Sequence, residues 1–282
     1  MSRIVETRQL TPVTKMFVLD NRLIAESAQA GQFVMLRVHK DGERIPVTIA
    51  DYDREAGTIT IVVQAVGATT RRVDALDVGD EILDVAGPLG SPIEIPDGGA
   101  HVVGVGGGFG AAALLCLMRE IHAKGNTATA IVGARNQDLL IMTNELLGVA
   151  DNVEICTDDG SAGMKGFVTQ RLAQLMDGQG PGRPDRVIAI GPMAMMRAIA
   201  AATKESGIKT MVSMDPLMVD GTGMCGGCRV IVDGKSQFAC IDGPVFDAQL
   251  VDFDLAMRRN KAYAEQEKAA AKRLACAPAE AV

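Results

Sequence analysis

The 282-residue chain has no tryptophan, only two tyrosines and three histidines, and no long basic run; with a net charge of −7, nothing in it supports nucleic-acid binding. The first residues, M-S-R-I-V-E-T-R, lack the apolar core of a signal peptide. The longest apolar run, Ala111 to Met118, is soon closed by Arg119 and Glu120, too short for a membrane span. A cytoplasmic location is therefore expected. No Ser-His-Asp, Cys-His or paired-carboxylate constellation presents itself, and His39, His101 and His122 show no ligand spacing. No side chain is assigned a catalytic role, and a relay of bound redox cofactors needs none.

What is present is cysteine, glycine and methionine. Six cysteines in a chain of cytosolic appearance point to metal chemistry before disulfides. Three of them fall in D-G-T-G-M-C-G-G-C-R-V-I-V-D-G-K-S-Q-F-A-C, at Cys225, Cys228 and Cys240, and Asp220 stands five residues before the pair. A plant-type [2Fe-2S] site, C-x4-C-x2-C…C, has its first cysteine where Asp220 stands. The glycines at 221, 223, 226 and 227 let a loop wrap closely and turn backbone N–H groups toward sulfur. A zinc knuckle, unligated buried thiols, and an aspartate that only caps its loop are the other readings. Cys116, in an apolar helical run, and Cys276, in an Ala-rich tail, are weaker ligand candidates. The 15 methionines gather at 193–196 and 211–224, which suits adaptable packing or an interface.

Residues 2–9, 14–19, 31–38, 45–50, 58–65 and 80–85 alternate apolar with polar and are bounded by turn residues, predicting a small antiparallel barrel over 1–97. From 98 to 210 the pattern becomes strand and helix in turn, with strands at 102–105, 127–132, 153–156 and 186–190. Helices are predicted over 111–123, 137–147, 167–176 and 192–206, making an open parallel sheet covered on both faces. The cysteine loop and a hairpin occupy 211–255, and 256–282 reads as an exposed helix or tail. The hairpin strands, Arg229 to Val232 and Gln237 to Ala239, are joined by a loop Asp233-Gly234-Lys235-Ser236 with an Asp-Gly turn signal.

Gly104-x-Gly106-Gly107-Gly108-x-Gly110 follows a strand and opens a helix, the setting for a dinucleotide pyrophosphate; tight strand–helix packing is the alternative. Thr157-Asp158-Asp159-Gly160-Ser161 and Gly191-Pro192-Met193 fall at the same sheet edge, where ligands of open sheets collect, although Asp158 and Asp159 also suit turn capping. In the barrel, Arg44, Pro46 and Thr48 share a strand face, and an arginine beside a hydroxyl suits a flavin's phosphates and ring edge.

Barrel, nucleotide sheet and cluster loop in this order resemble the ferredoxin–NADP reductase superfamily, over residues 3 to about 260. Arg44-Ile-Pro46-Val47-Thr48 resembles its flavin strand; Val66-Gly67-Ala-Thr69-Thr70 and Gly87-Pro88-Leu89-Gly90 resemble its flavin loops. Gly106-Gly107-Gly108-Phe-Gly110, Gly133-Ala-Arg135, Asp158-Asp159-Gly160 and Gly191-Pro192-Met193 resemble its nicotinamide-site loops, with Ala111, Ala112 and Ala113 where relatives often carry a proline. Two sister groups are similar: electron-transfer subunits of dihydroorotate dehydrogenase, with four cysteines, and small subunits of NADH-dependent ferredoxin:NADP oxidoreductase, which share Asp at the first ligand position. The resemblance to the second implies FAD, NAD(H) and a [2Fe-2S] cluster on Asp220, Cys225, Cys228 and Cys240. It further implies a larger partner carrying FAD, [4Fe-4S] clusters and the NADP(H) site, with ferredoxin-coupled transhydrogenation by electron bifurcation. The alternatives are an electron-transfer subunit of dihydroorotate dehydrogenase, a ferredoxin–NADP reductase acting alone, and a regulatory nucleotide-binding module with a zinc-stabilised tail.

Overall fold

The computed structural model describes residues 1–275; Cys276 lies outside them. Alternating side chains build seven strands: β1 (Ser2–Thr11), β2 (Thr14–Asp20), β3 (Phe33–Arg37), β4 (Ile45–Asp53), β5 (Thr58–Gln64), β6 (Glu81–Ile82) and β7 (Asp84–Leu89). They pair in the order β6-β1-β2-β5-β4-β3-β7. Only Leu83 separates the two edge strands in the chain, so the edges are brought together and the sheet curls into a barrel. Two short helices, α1 (Arg22–Ser27) and α2 (Ala68–Asp74), interrupt the strands and had no periodicity long enough to announce them.

The second sheet uses β8 (His101–Gly107), β9 (Thr127–Ala134), β10 (Asn152–Thr157), β11 (Met164–Lys165), β12 (Arg186–Ile190) and β13 (Lys209–Ser213), all parallel. Its crossovers include α3 (Leu114–Ala123), α4 (Thr143–Leu147), α5 (Val168–Met176) and α6 (Met193–Glu205). The helix expected over 111–123 starts later, because residues 108–113 wind as a tighter 3-10 turn. The helix expected over 137–147 is broken: a 3-10 turn covers 137–139, and Met142, at φ 58, stops the chain from running on into α4.

The C-terminal part adds β14 (Arg229–Val232), β15 (Lys235–Phe238), β16 (Val245–Asp247), α7 (Phe253–Asn260) and α8 (Ala264–Ala275). Asp233 and Gly234, both at positive φ, make a two-residue turn, so Lys235 and Ser236 belong to the strand and not to the loop. β16 joins the parallel sheet as its antiparallel edge, next to β13.

Two apolar cores cross these boundaries. In one, Ile49 and Ala50 of the barrel pack with Ala112, Cys116 and Met118. Polar contacts reinforce that junction: Glu120 accepts from the Tyr52 hydroxyl at 2.6 Å and the Ala30 N–H at 2.7 Å, and Arg119 pairs with Asp51. In the other core, Phe33 and Met35 of β3 join Met214, Met218, Cys228, Cys240 and Phe246. Four of the clustered methionines, 193, 196, 214 and 218, are core residues, whereas Met224 is 89% exposed.

Candidate functional site

Two cavities open between barrel and sheet. The first, about 610 Å³, is lined by Pro46, Val47 and Thr48 of β4, Val66 and Thr70 around α2, and the loop after β8. Its walls are apolar except for a few hydroxyls, an amide and Asp215. Arg44 stands one residue ahead of β4, exposed and outside the lining. Gly67 and Thr69 are also outside it: the Gly67 N–H donates to Thr70 Oγ1 at 2.8 Å, and the Thr69 hydroxyl donates to Glu43 at 2.8 Å. Gly87, Pro88, Leu89 and Gly90 do not line the cavity either. A Cβ on Gly90 would meet Pro244 at 2.9 Å, which makes this turn a seam between the barrel and the C-terminal part.

The second cavity, about 620 Å³, follows the C-terminal edge of the parallel sheet. Gly107, Gly108, Arg135, Asp158 and Pro192 line it together, as the expected loops require. The glycines divide by task. Gly106 and Gly110 are packing positions: added Cβ atoms would meet Ala111 Cα at 2.8 Å and the Ile190 carbonyl oxygen at 2.2 Å. Gly107 and Gly108 line both cavities, and Gly108, at φ +54, has open space before it. That is a cradle a side chain would fill, and it fits a pyrophosphate approaching backbone N–H groups. Asp159 and Gly160 lie outside the lining. Asp159 instead closes its turn, accepting from Ser161 N–H at 2.9 Å and Oγ at 2.6 Å, and those bonds hold its carboxyl below the usual range. Gly191 lines the first cavity, and Met193 is buried at the start of α6.

Reasoning from sequence missed several lining residues. Phe167, 60% exposed, and Met195 border the second cavity, and Phe109 borders both. Asp215, Met214 and Met218 border the first. Phe109 lay inside the glycine motif and so was within reach; the rest depend on how the loops fold back.

The cysteine loop sits against β3 and β7. Gly221, at φ +76, lies so close to the barrel that a Cβ would meet Met35 Cγ at 2.6 Å. Gly223, at φ +83, leaves no room beside Ile241. These positive-φ turns wrap the loop around Asp220. Its Oδ2 accepts from the N–H groups of Met224 and Cys225 at 3.1 and 3.0 Å, and its Oδ1 from Thr222 N–H at 3.1 Å. Desolvation works against the charge, but these bonds outweigh it and hold the Asp220 carboxyl below its usual range. The Cys225 thiol lies 3.4 Å from Asp220 Oδ1, and Cys228 and Cys240 bring their sulfurs to 3.2 Å. The donors thus form two pairs, Asp220 with Cys225 and Cys228 with Cys240. Among the described residues no three His, Cys, Asp or Glu side chains converge as one metal ion requires. Three soft thiols and a carboxylate in two pairs fit a two-iron cluster better than a single tetrahedral zinc.

The loop is tied to the chain beside the first cavity, whose lining includes Pro244. Ser91 N–H donates to the Gly243 carbonyl at 2.6 Å, and Ser91 Oγ to the Ile241 carbonyl at 2.9 Å, so the segment after Cys240 is fastened to the chain after β7.

Comparison with known proteins agrees with this geometry. The iron-sulfur cluster binding domain of dihydroorotate dehydrogenase B matches residues 215–252. The chain is 45% identical to an electron transfer subunit homolog of dihydroorotate dehydrogenase B (NAD(+)) from Thermotoga maritima, covering 89% of this chain and 88% of that one. It is 34% identical to a probable subunit of the same kind from Methanocaldococcus jannaschii, over 86% of this chain and 88% of the relative. A solved chain from work on flavin-based electron bifurcation by the NADH-dependent reduced ferredoxin-NADP oxidoreductase superposes with a TM-score of 0.90. It is 41% identical, and the match covers 97% of each chain.

Proposed function

The chain belongs to the family of dihydroorotate dehydrogenase B electron transfer subunits and their homologues, and we propose that it is the flavin- and iron–sulfur-dependent subunit of a bifurcating ferredoxin–NADP oxidoreductase. The observation that carries this reading is the paired donor set of Asp220, Cys225, Cys228 and Cys240, fastened beside the barrel–sheet cavity. When bound, FAD supplies hydride exchange with NAD(H) and a [2Fe-2S] cluster supplies one-electron transfer.

The chain's own residues position these groups. Pro46, Val47 and Thr48 of β4 offer a strand edge to the flavin ring, and Val66 and Thr70 close that wall of the cavity. Arg44, exposed beside it, is free to reach the flavin's phosphates. Gly107 and Gly108 present backbone N–H groups to the dinucleotide pyrophosphate, with Arg135 and Asp158 further along the same cavity for the adenosine end. The apolar walls exclude water from the site of hydride exchange. Asp220, a harder and less electron-donating ligand to iron than thiolate, shifts the cluster's potential away from that of a four-cysteine site.

One flavin and one cluster do not close a bifurcating circuit, so the reading requires a larger partner with a second FAD, [4Fe-4S] clusters and an NADP(H) site, through which ferredoxin is served. The names of the relatives also suit a partner of dihydroorotate dehydrogenase, and Asp220 in place of a cysteine favours the first reading over that one.

The test is iron analysis and EPR of the anaerobically purified, dithionite-reduced full chain, wild type beside Asp220→Cys. Two irons per chain and a one-electron signal altered by the substitution are expected. An unchanged signal would remove Asp220 from the ligand set and favour the dihydroorotate partner; zinc without iron would overturn the electron-transfer reading.

A further inference from the structure

Among the described residues, Asp215 is the one ionisable side chain lining the first cavity. It stands just beyond β13, at the edge of the parallel sheet where ligands gather. Pro216 follows it and restricts its backbone to extended conformations, so the direction of the side chain is set locally. From behind, Asn260 of α7 donates to the Asp215 carbonyl at 3.2 Å, which holds the residue against α7.

Its place relative to the nucleotide loops follows from strand register. β12 and β13 are parallel neighbours with Ile190 opposite Ser213. Two residues further on, Pro192 and Asp215 leave the sheet side by side, and both line the first cavity. Pro192 also lines the second cavity, as do Gln64, Gly107, Gly108 and Phe109. The two cavities therefore join at this point. A dinucleotide held over Gly107 and Gly108 could reach through this junction toward Asp215.

The carboxyl has no compensating charge. Asp215 is solvent-exposed as well as lining the cavity, and no charged neighbour contributes to its ionisation; desolvation by the surrounding apolar wall still pushes it up to about 6. On α7, Arg259 is turned away to the Gly227 carbonyl, and the Asp247 carboxylate on β16 is occupied by Gln249 N–H. An uncompensated carboxylate in an apolar cavity is costly unless something it meets there is positive. Of the groups that enter such a cleft, the oxidised nicotinamide ring is a cation and the reduced ring is neutral.

We infer that Asp215 is a specificity-determining residue that makes this site prefer the oxidised, cationic nicotinamide ring over the reduced, neutral one. The inference rests on the dinucleotide reading of the second cavity. A neutral ring becomes the cation when a hydride leaves it, so a carboxylate that favours the cation also makes the bound reduced dinucleotide a better hydride donor. None of the glycine-loop contacts does this, because backbone N–H groups bind the phosphates of both redox forms alike.

The experiment is equilibrium binding by calorimetry to the full chain purified with its cofactors, for wild type, Asp215→Asn and Asp215→Glu. The probes are NAD+ and 1,4,5,6-tetrahydro-NADH, whose ring is neutral and has no hydride to give. Asp215→Asn is expected to weaken NAD+ roughly tenfold while the neutral analogue changes less than about twofold. Asp215→Glu, which keeps the charge, is expected to retain the preference. In the wild type the preference for NAD+ falls between pH 8 and pH 5 as the carboxylate takes up a proton, and in Asp215→Asn it is flat. An unchanged ratio of affinities in a folded Asp215→Asn that still binds both probes overturns the inference alone. Failure of the wild type to bind either probe overturns the dinucleotide reading and the inference with it.

Discussion

At the scale of a single residue, Asp215 shows a functional position working against stability. The unfolded carboxyl titrates near 3.8 and the folded one near 6, so folding favours the protonated form. Its favourable contribution is complete below 3.8 and is lost as pH rises through 6. At neutral pH the chain then folds around a charge it would rather not hold. Asp215→Asn is expected to melt slightly higher than wild type at pH 7.5, by about 2 °C at most because the exposed carboxyl is screened by solvent, and to show no such gain at pH 4. Scanning calorimetry at the two pH values checks this, and an equal difference at both would mean that the carboxyl does not titrate as described. Nothing in the local sequence M-D-P-L marks Asp215, because its role depends on a cavity built from β4, the loop after β8 and β13 together. Asp159 errs the other way. It stands in a motif that suggests nucleotide contact, but its carboxylate is spent on Ser161, two residues on.

Among the elements, what was legible followed from period and turn chemistry. The barrel strands alternate and the sheet helices carry an apolar stripe, so their order and type were readable. The Asp233-Gly234 turn was readable too, because few residues tolerate two successive positive φ angles. The break inside residues 137–147 was not, since a left-handed methionine at Met142 has no signature in sequence. The glycine motif was readable as a motif but not in its division of labour. Gly110 faces the Ile190 carbonyl oxygen at 2.2 Å from where a Cβ would lie, and backbone cannot give way there. Gly234 has a positive φ and open space around it. Gly110→Ala is therefore expected to cost about 3 kcal/mol or more through overpacking, and Gly234→Ala about 1 kcal/mol through backbone strain alone. Urea unfolding of the two variants ranks them, and the reverse order would mean that β12 and the 3-10 turn are less tightly joined than their geometry indicates.

For the molecule as a whole, the parts that sequence reads as three domains share their cores. β16 lies beyond the cysteine loop yet forms the edge of the parallel sheet, and Ala248 N–H returns to the Thr210 carbonyl at 2.8 Å. Met214 N–H donates to the Pro244 carbonyl at 2.9 Å, and Ser91 holds the segment after Cys240 to the barrel. Phe33 and Met35 of the barrel share an apolar cluster with Cys228 and Cys240. The cysteine loop seated this way is held in place beside the first cavity, which suits the proposed transfer between fixed centres. A chain ended after Ser213 would expose that apolar cluster and leave β13 an unpaired edge, and it is expected to be insoluble or to bind no FAD. A chain ended after Tyr263 loses α8, whose residues Glu265 to Ala269 are exposed, and is expected to melt within about 2 °C of the full chain. Absorbance spectra of the two truncations, taken with their melting curves, distinguish this from a detachable cluster domain: a soluble, yellow, cooperatively melting 1–213 chain would show that the shared core contributes little to holding the barrel and the sheet together.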